Sequence, residues 1–131
     1  MNDLKPYSAD IEKLTLENTD FRRVLYTAAH SQLVLMSLLP GEEIGAEVHH
    51  VDQFFRFEAG LGKAVIDGKE YPVEDGSALL VPAGSEHNIV NTGAVPMKLY
   101  TVYAPANHIA GRVHKTKADA EKDVEDEEFG K

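Results

Sequence analysis

Residues 76–91 read Gly76-Ser-Ala-Leu-Leu-Val-Pro82-Ala-Gly84-Ser-Glu86-His87-Asn88-Ile-Val-Asn91, two short apolar strands joined by a Pro-x-Gly turn. Proline cannot continue a strand ladder and glycine reaches the positive backbone angles of a reversal, so the strand over 77–81 stops at Pro82 and a new one opens at His87. In an extended strand residues two apart share a face, which puts His87, Ile89 and Asn91 together. The stretch therefore predicts sheet structure with an imidazole placed on the same face as an apolar residue.

Outward from it the same grammar continues. Strands are expected over 21–28, 32–39, 44–49, 53–59, 63–66, 69–73 and 97–103, in addition to 77–81 and 87–91, because these stretches are rich in Val, Ile, Leu, Tyr and Phe and several alternate. Asp67-Gly68, between Ala64-Val-Ile and Lys-Glu-Tyr71, is the pair favoured by a two-residue hairpin. Eight of the ten glycines and four of the six prolines lie from Pro40 to Pro96, where they punctuate the strands. Nine short strands with almost no helix between them call for an all-β antiparallel sandwich or barrel. The expected organisation is an N-terminal lead over 1–20, a barrel over 21–112 and an acidic C-terminal helix or tail over 113–131.

The composition closes off other classes. At 131 residues the chain is one domain, and no apolar run approaches the roughly 20 residues of a membrane-spanning helix. Zero cysteines exclude disulfides, thiolate-bound zinc and iron–sulfur clusters. The net charge of −9 repels phosphate backbones and anionic membranes, so neither nucleic acid nor a membrane is an expected partner. Residues 119–128 hold seven acids and one lysine, so most of that charge sits in the tail, read as a solvated end with Thr116 as helix N-cap and Ala120 and Val124 as its apolar stripe. The opening MNDLKPYSADIEKL has no apolar core of the secretory type, which gives a cytoplasmic expectation.

Ligand-type side chains gather in a second stretch, 41–60. Glu47 and His49 stand two apart, as do Gln53, Phe55 and Phe57 past the turn at 50–52. His50 and Asp52 have the opposite parity and are expected outward, although a bulge could exchange Asp52 with Gln53. His30, His108 and His114 lie near loops with no partner at ligand spacing and are expected at the surface. Phe54, Val81 and Val90 are expected outward, available to a second copy. Tyr26, Met36, Phe55, Phe57, Tyr100 and Tyr103 are expected to line the barrel or its core.

These two stretches resemble the paired motifs of the cupin superfamily. In the first, Gly41 and Gly60 stand at the family's intervals, His49 matches a histidine of the His-x-His pair, Glu47 takes the place of the other, and Gln53 takes the place of the glutamate. In the second, Gly76, Pro82, Gly84, His87 and Asn91 match without departure. The resemblance covers residues 21–104. It implies a jelly-roll barrel, a double-stranded β-helix, usually homodimeric, around a divalent metal held by Glu47, His49, Gln53 and His87. Two imidazoles, a carboxylate and an amide oxygen suit Zn, Fe(II), Mn, Ni or Co. Phosphomannose isomerases, also cupins, hold zinc with the same inventory in another order. The resemblance thus implies a small-metabolite enzyme of isomerase type, with Glu47 as the proton-moving carboxylate and Phe55, Phe57 and Tyr100 as substrate-facing residues. Against a phosphorylated substrate, no inward cation is evident, since Arg56 has outward parity. Two other readings stay open: a metal-dependent dioxygenase, and a non-catalytic cupin that binds a small ligand.

Overall fold

Eight of the nine expected strands form in the computed structural model, which describes residues 4–131; the first three residues of the N-terminal lead lie outside the described part. In order come α1 (Ile11–Glu17), β1 (Arg22–Thr27), β2 (Gln32–Leu38), β3 (Asp52–Ala59), β4 (Leu61–Ile66), β5 (Lys69–Glu74), β6 (Ala78–Val81), β7 (His87–Asn91), β8 (Met97–Ala104), β9 (Val113–His114), α2 (Lys117–Lys122) and α3 (Val124–Phe129). One sheet runs β6-β3-β8-β2-β1-β9 and the other β5-β4-β7, with antiparallel pairing throughout. This is the all-β jelly roll that the motif spacing implied.

Alternation decides which side of each strand meets the core. In β8 Met97, Leu99, Thr101 and Tyr103 are buried while the residues between them are partly exposed. From the large sheet Val34, Met36, Leu38, Phe55 and Phe57 meet Ala64, Val73 and Ile89 of the small one, all buried. Each such large apolar side chain contributes about 1.5–3 kcal/mol by leaving water. Asn91 closes its motif for a structural reason. Wholly buried, it donates to the carbonyls of Leu38 at 3.0 Å and Val95 at 2.9 Å and accepts from the Gly93 amide at 2.9 Å, so one side chain satisfies three backbone groups. Gly76 and Gly84, at φ +90° and +89°, make the turns that bracket β6.

The ninth expected strand, 44–49, does not form as a regular ladder. Glu43 pairs with Val90 and Glu47 with His87, so four steps on one side answer three on the other. The extra residue is absorbed near Gly45, whose φ of +109°, with its N–H donating to Asn88 Oδ1 at 2.8 Å, turns the chain out of strand geometry. Val81 is buried opposite Gln53, in contrast to its expected outward placement, because β6 presents alternate residues and Leu80 takes the exposed position. The lead contributes α1, capped by Asp10, and the tail region contributes β9, paired with β1, so neither is a mere appendage of the barrel.

The Asp67-Gly68 turn forms as read, with both residues at positive φ, +49° and +83°. Asp67 Oδ1 also accepts from the Glu86 amide at 3.0 Å, tying the hairpin to the approach of β7. Asp67→Ala is expected to cost about 1–2 kcal/mol, from left-handed strain plus the lost hydrogen bond, read as a lower urea midpoint. An unchanged midpoint would show that the turn contributes nothing.

Candidate functional site

Glu47 and His87 are set beside each other by their own backbones: each amide donates to the other's carbonyl at 2.9 Å. His49 follows two residues later, and its Nε2 lies 3.2 Å from Glu47 Oε2. The His49 and His87 rings are 5.0 Å apart. His87 Nδ1 meets the Ser85 carbonyl at 3.0 Å; only an N–H can be held there, so Nε2 is left with its lone pair. Gln53, on β3, donates through Nε2 to Thr101 Oγ1 at 3.0 Å, while its Oε1 is buried with no partner. Buried carbonyl oxygens without partners are uncommon.

Of the four ligand-type residues, Glu47, His49 and His87 are brought together directly. Gln53 joins them through Tyr103, its cross-strand neighbour, whose ring stands edge-on to His49 at 5.8 Å. The chemistry of the set fits a borderline divalent cation: a carboxylate, two imidazoles of which one has its tautomer fixed, and an amide oxygen lacking a partner. Burial pushes the Glu47 carboxyl up, but His49, Arg22 and His87 outweigh it and leave Glu47 below the usual carboxylate range. Burial holds His87 below the usual imidazole range against the pull of the Ser85 carbonyl, which favours the neutral ring that a metal needs. Burial likewise pushes the Tyr103 phenol up, so it stays protonated.

A cavity of about 500 Å³ opens beside Glu47 and His49. Its wall is not the expected one. Phe55 and Phe57 are wholly buried in the core, Phe55 with its ring 6.0 Å from that of His87, and neither lines the cavity. Tyr100 lies on the opposite face of β8 and packs on Phe54 at 6.4 Å. The three aromatic residues expected to face substrate do not line this cavity: strand parity puts two of them deeper and one outside. The cavity is lined instead by Arg22, Ile44, Asn107 and His108 and roofed by residues of the last two helices, among them Lys117 and Asp126.

The C-terminal segment is thus part of the site, in contrast to the expected solvated tail. The Thr116–Asp119 capping box forms as read, and Ala120 packs on the core, but Val124 is exposed. Asp126 is 4% exposed; its two oxygens accept from His108 Nδ1 and the Ile109 amide, both at 2.7 Å. Asp123 binds His114 Nε2 at 2.9 Å and Arg112 Nε at 2.8 Å. His108 and His114, expected at the surface, are both buried because these helices cover them. His30, His50 and Asp52 are exposed as expected, and Asp52 accepts from the Ala83 amide at 3.0 Å. His114, Asp123 and Asp126 also bring ligand atoms within 4.8 Å of one another. Both carboxylates are already engaged, Asp123 by His114, Arg112 and the Asp126 amide and Asp126 by His108 and the Ile109 amide, while His114 Nδ1 is buried without a partner; the cluster reads as an internal clasp.

Arg22, Asn107 and Tyr103 are the residues of the site that sequence reading did not single out for it. Asn107, from the loop after β8, sets its amide 3.3 Å from His49 Nδ1, where it orients that ring. Arg22 is 7% exposed and faces the cavity, which supplies the inward cation that the parity of Arg56 had denied. Its shared parity with buried Val24 in β1 was the available signal.

A family model described as "Cupin domain" matches residues 34–103. An uncharacterized Bacillus subtilis protein, YrkC, is 50% identical over 124 residues, covering 88% of this chain and 66% of that protein, so the chain spans slightly under two thirds of its length. An uncharacterized protein of Acanthamoeba polyphaga mimivirus is 39% identical over 118 residues, covering 86% of this chain and 73% of that protein. Among solved structures, a Bacillus halodurans protein superposes with a TM-score of 0.89 at 44% identity, covering 91% of this chain and 96% of that one.

Proposed function

The chain belongs to the cupin family, and from that premise we propose that it holds a divalent metal through Glu47, His49, His87 and Gln53 and acts on a small oxygenated metabolite by proton transfer, as an isomerase does. The observation that carries the reading is the pairing of Glu47 with His87 across two backbone hydrogen bonds and His49 beside them, with Glu47 and His49 on the wall of a cavity. A bound metal would polarise a carbonyl or hydroxyl of the substrate. The chain's own contributions are separate. Glu47, held ionised and facing the cavity, is the group placed to take a proton from a carbon or hydroxyl beside it. Asn107 orients His49, Ser85 orients His87, and Ile44 with the roof of α2 and α3 limits water. In the same reading the protein works as a cytoplasmic homodimer, with Leu80, 70% exposed, and its cross-strand neighbour Phe54 on the face offered to a second copy.

The test begins with metal analysis of untagged protein, where a near-stoichiometric divalent ion is expected. Adding Zn, Mn, Fe(II), Ni or Co to chelator-treated protein should raise the melting temperature on the order of 10 °C at a hundredfold excess over Kd. Aldose–ketose exchange without oxygen supports the isomerase; oxygen uptake with enolisable diketones would support the dioxygenase instead. No metal and no shift with any of the five ions would overturn the proposal.

A further inference from the structure

Arg22 is the group in this cavity whose chemistry is unspent. It sits at the start of β1, 7% exposed, and its Nε is buried without a partner. None of the ion pairs among the described residues includes it. The Phe21 ring lies 5.3 Å from the guanidinium carbon, a contact that steadies a cation without accepting its hydrogen bonds. A desolvated guanidinium with five donors is costly to leave without acceptors.

Of the carboxylates lining the cavity, Asp126, Glu47 and Glu127 have partners other than Arg22, and exposed Glu121 makes no ion pair with it. Asp126 commits one oxygen to His108 and the other to the Ile109 amide. Glu47 is turned to His49. Glu127, at the rim, has Lys131 within 3.8 Å. The charged side chains lining the cavity are Arg22, Lys117 and Lys131 against Glu47, Glu121, Asp126 and Glu127, a net of −1, so the pull on an anion is local to the unpaired guanidinium and not spread over the wall. A cavity of about 500 Å³ accommodates a small metabolite.

We propose that the substrate carries an oxyanion, a carboxylate or a phosphate, and that Arg22 is its anchor. The inference rests on the proposed metal reading only for the far end of the ligand. Arg22 fixes the anionic end by paired N–H donors, and the hydroxyl or carbonyl end is then presented toward Glu47 and His49. The structure thus assigns the site to hydroxy-acids or sugar phosphates as a class, and against neutral sugars.

The experiment titrates the full chain, metal-loaded and chelator-treated, with glycolate, inorganic phosphate and neutral ethylene glycol at pH 7.5 and constant ionic strength. Binding is read by calorimetry and by the shift in melting temperature. At least one anion is expected to bind both forms, ethylene glycol far more weakly, and Arg22→Met to weaken the anion by roughly tenfold or more with Arg22→Lys in between. Preference for glycolate marks a carboxylate substrate and preference for phosphate a phosphorylated one. Anion binding that depends on Arg22 in a protein that takes up no metal sinks the metal reading and leaves this one standing. If Arg22→Met leaves anion affinity unchanged, the anion sits on the metal alone and the proposal is wrong. It is equally wrong if ethylene glycol binds as well as glycolate, or if neither anion binds the wild-type chain; these comparisons hold even if Arg22→Met fails to fold.

Discussion

His87→Ala is expected to lower the affinity for Zn²⁺ by roughly a hundredfold or more, and to abolish the metal-dependent rise in melting temperature. Removing a group that merely orients a ligand commonly costs 10–100-fold, and His87 would be a ligand itself. Its ring is one of only two imidazoles in the set, and the Ser85 carbonyl already fixes its tautomer so that Nε2 is free. The same variant should stay folded, because the pairing of Glu47 with His87 runs through the backbone and survives truncation of the side chain. Circular dichroism checks that point, and elemental analysis with a competing chelator measures the affinity. The informative control is His114→Ala. If that change empties the protein of metal while His87→Ala keeps it, the ion resides in the His114, Asp123 and Asp126 clasp and the assignment is wrong.

Asp126→Ala is expected to cost about 2–4 kcal/mol in unfolding free energy and to loosen the helices that roof the cavity. It strips acceptors from two donors at once, the buried His108 Nδ1 and the part-buried Ile109 amide, both at 2.7 Å, and a stranded buried donor carries the desolvation penalty in full. Asp126→Asn, which keeps one carbonyl oxygen, should lose less. The pair also gives a pH dependence with a defined sign. Burial outweighs the hydrogen bond that His108 donates to Asp126 and holds His108 below the ordinary imidazole range. For Asp126 burial acts upward, but His108 and the Ile109 amide win, so it lies below the ordinary carboxylate range. Both groups therefore bind fewer protons folded than unfolded. Their contribution is fully present above about pH 6.5, and falls as acid first loads His108 and then Asp126. The melting temperature of the wild type should drop between pH 7 and 5, and Asp126→Ala should steepen that drop, because the lost carboxylate is what holds the His108 imidazole up against burial. An Asp126→Ala protein with wild-type stability at pH 7 would show that the clasp does not hold the tail.

The strands were legible because burial on a sheet has a period of two and the turns have few chemical solutions. Residues 97–103 alternate, and β8 buries the expected side of that alternation. Asp67-Gly68 forms its hairpin for a local reason, since few dipeptides accept two positive φ angles in a row. The failure at 44–49 is equally physical. Glu43 and Glu47 pair with β7 out of step, and nothing in the composition of IGAEVH marks where the extra residue will be absorbed. Parity predicted that Glu47 and His49 would meet, and they do, at 3.2 Å. Parity also put Phe55 and Phe57 inside, but inside meant the core and not the cavity wall, a distinction set by depth along the barrel that a one-dimensional pattern does not carry.

By itself the sequence determined the all-β class, the cupin motifs and the set of donors, because each depends on neighbours within a few residues or on fixed intervals between turns. What only the tertiary structure decided is what surrounds those donors. Arg22 becomes a cavity wall, His108 and His114 become buried, and a run of acids becomes a roof, because β1, the loop after β8 and the last helices meet in space from positions some hundred residues apart. A tail of high charge would ordinarily remain in water. Here Asp123 and Asp126 find two imidazoles, an arginine and a backbone amide waiting for them, and those partners offset the loss of hydration.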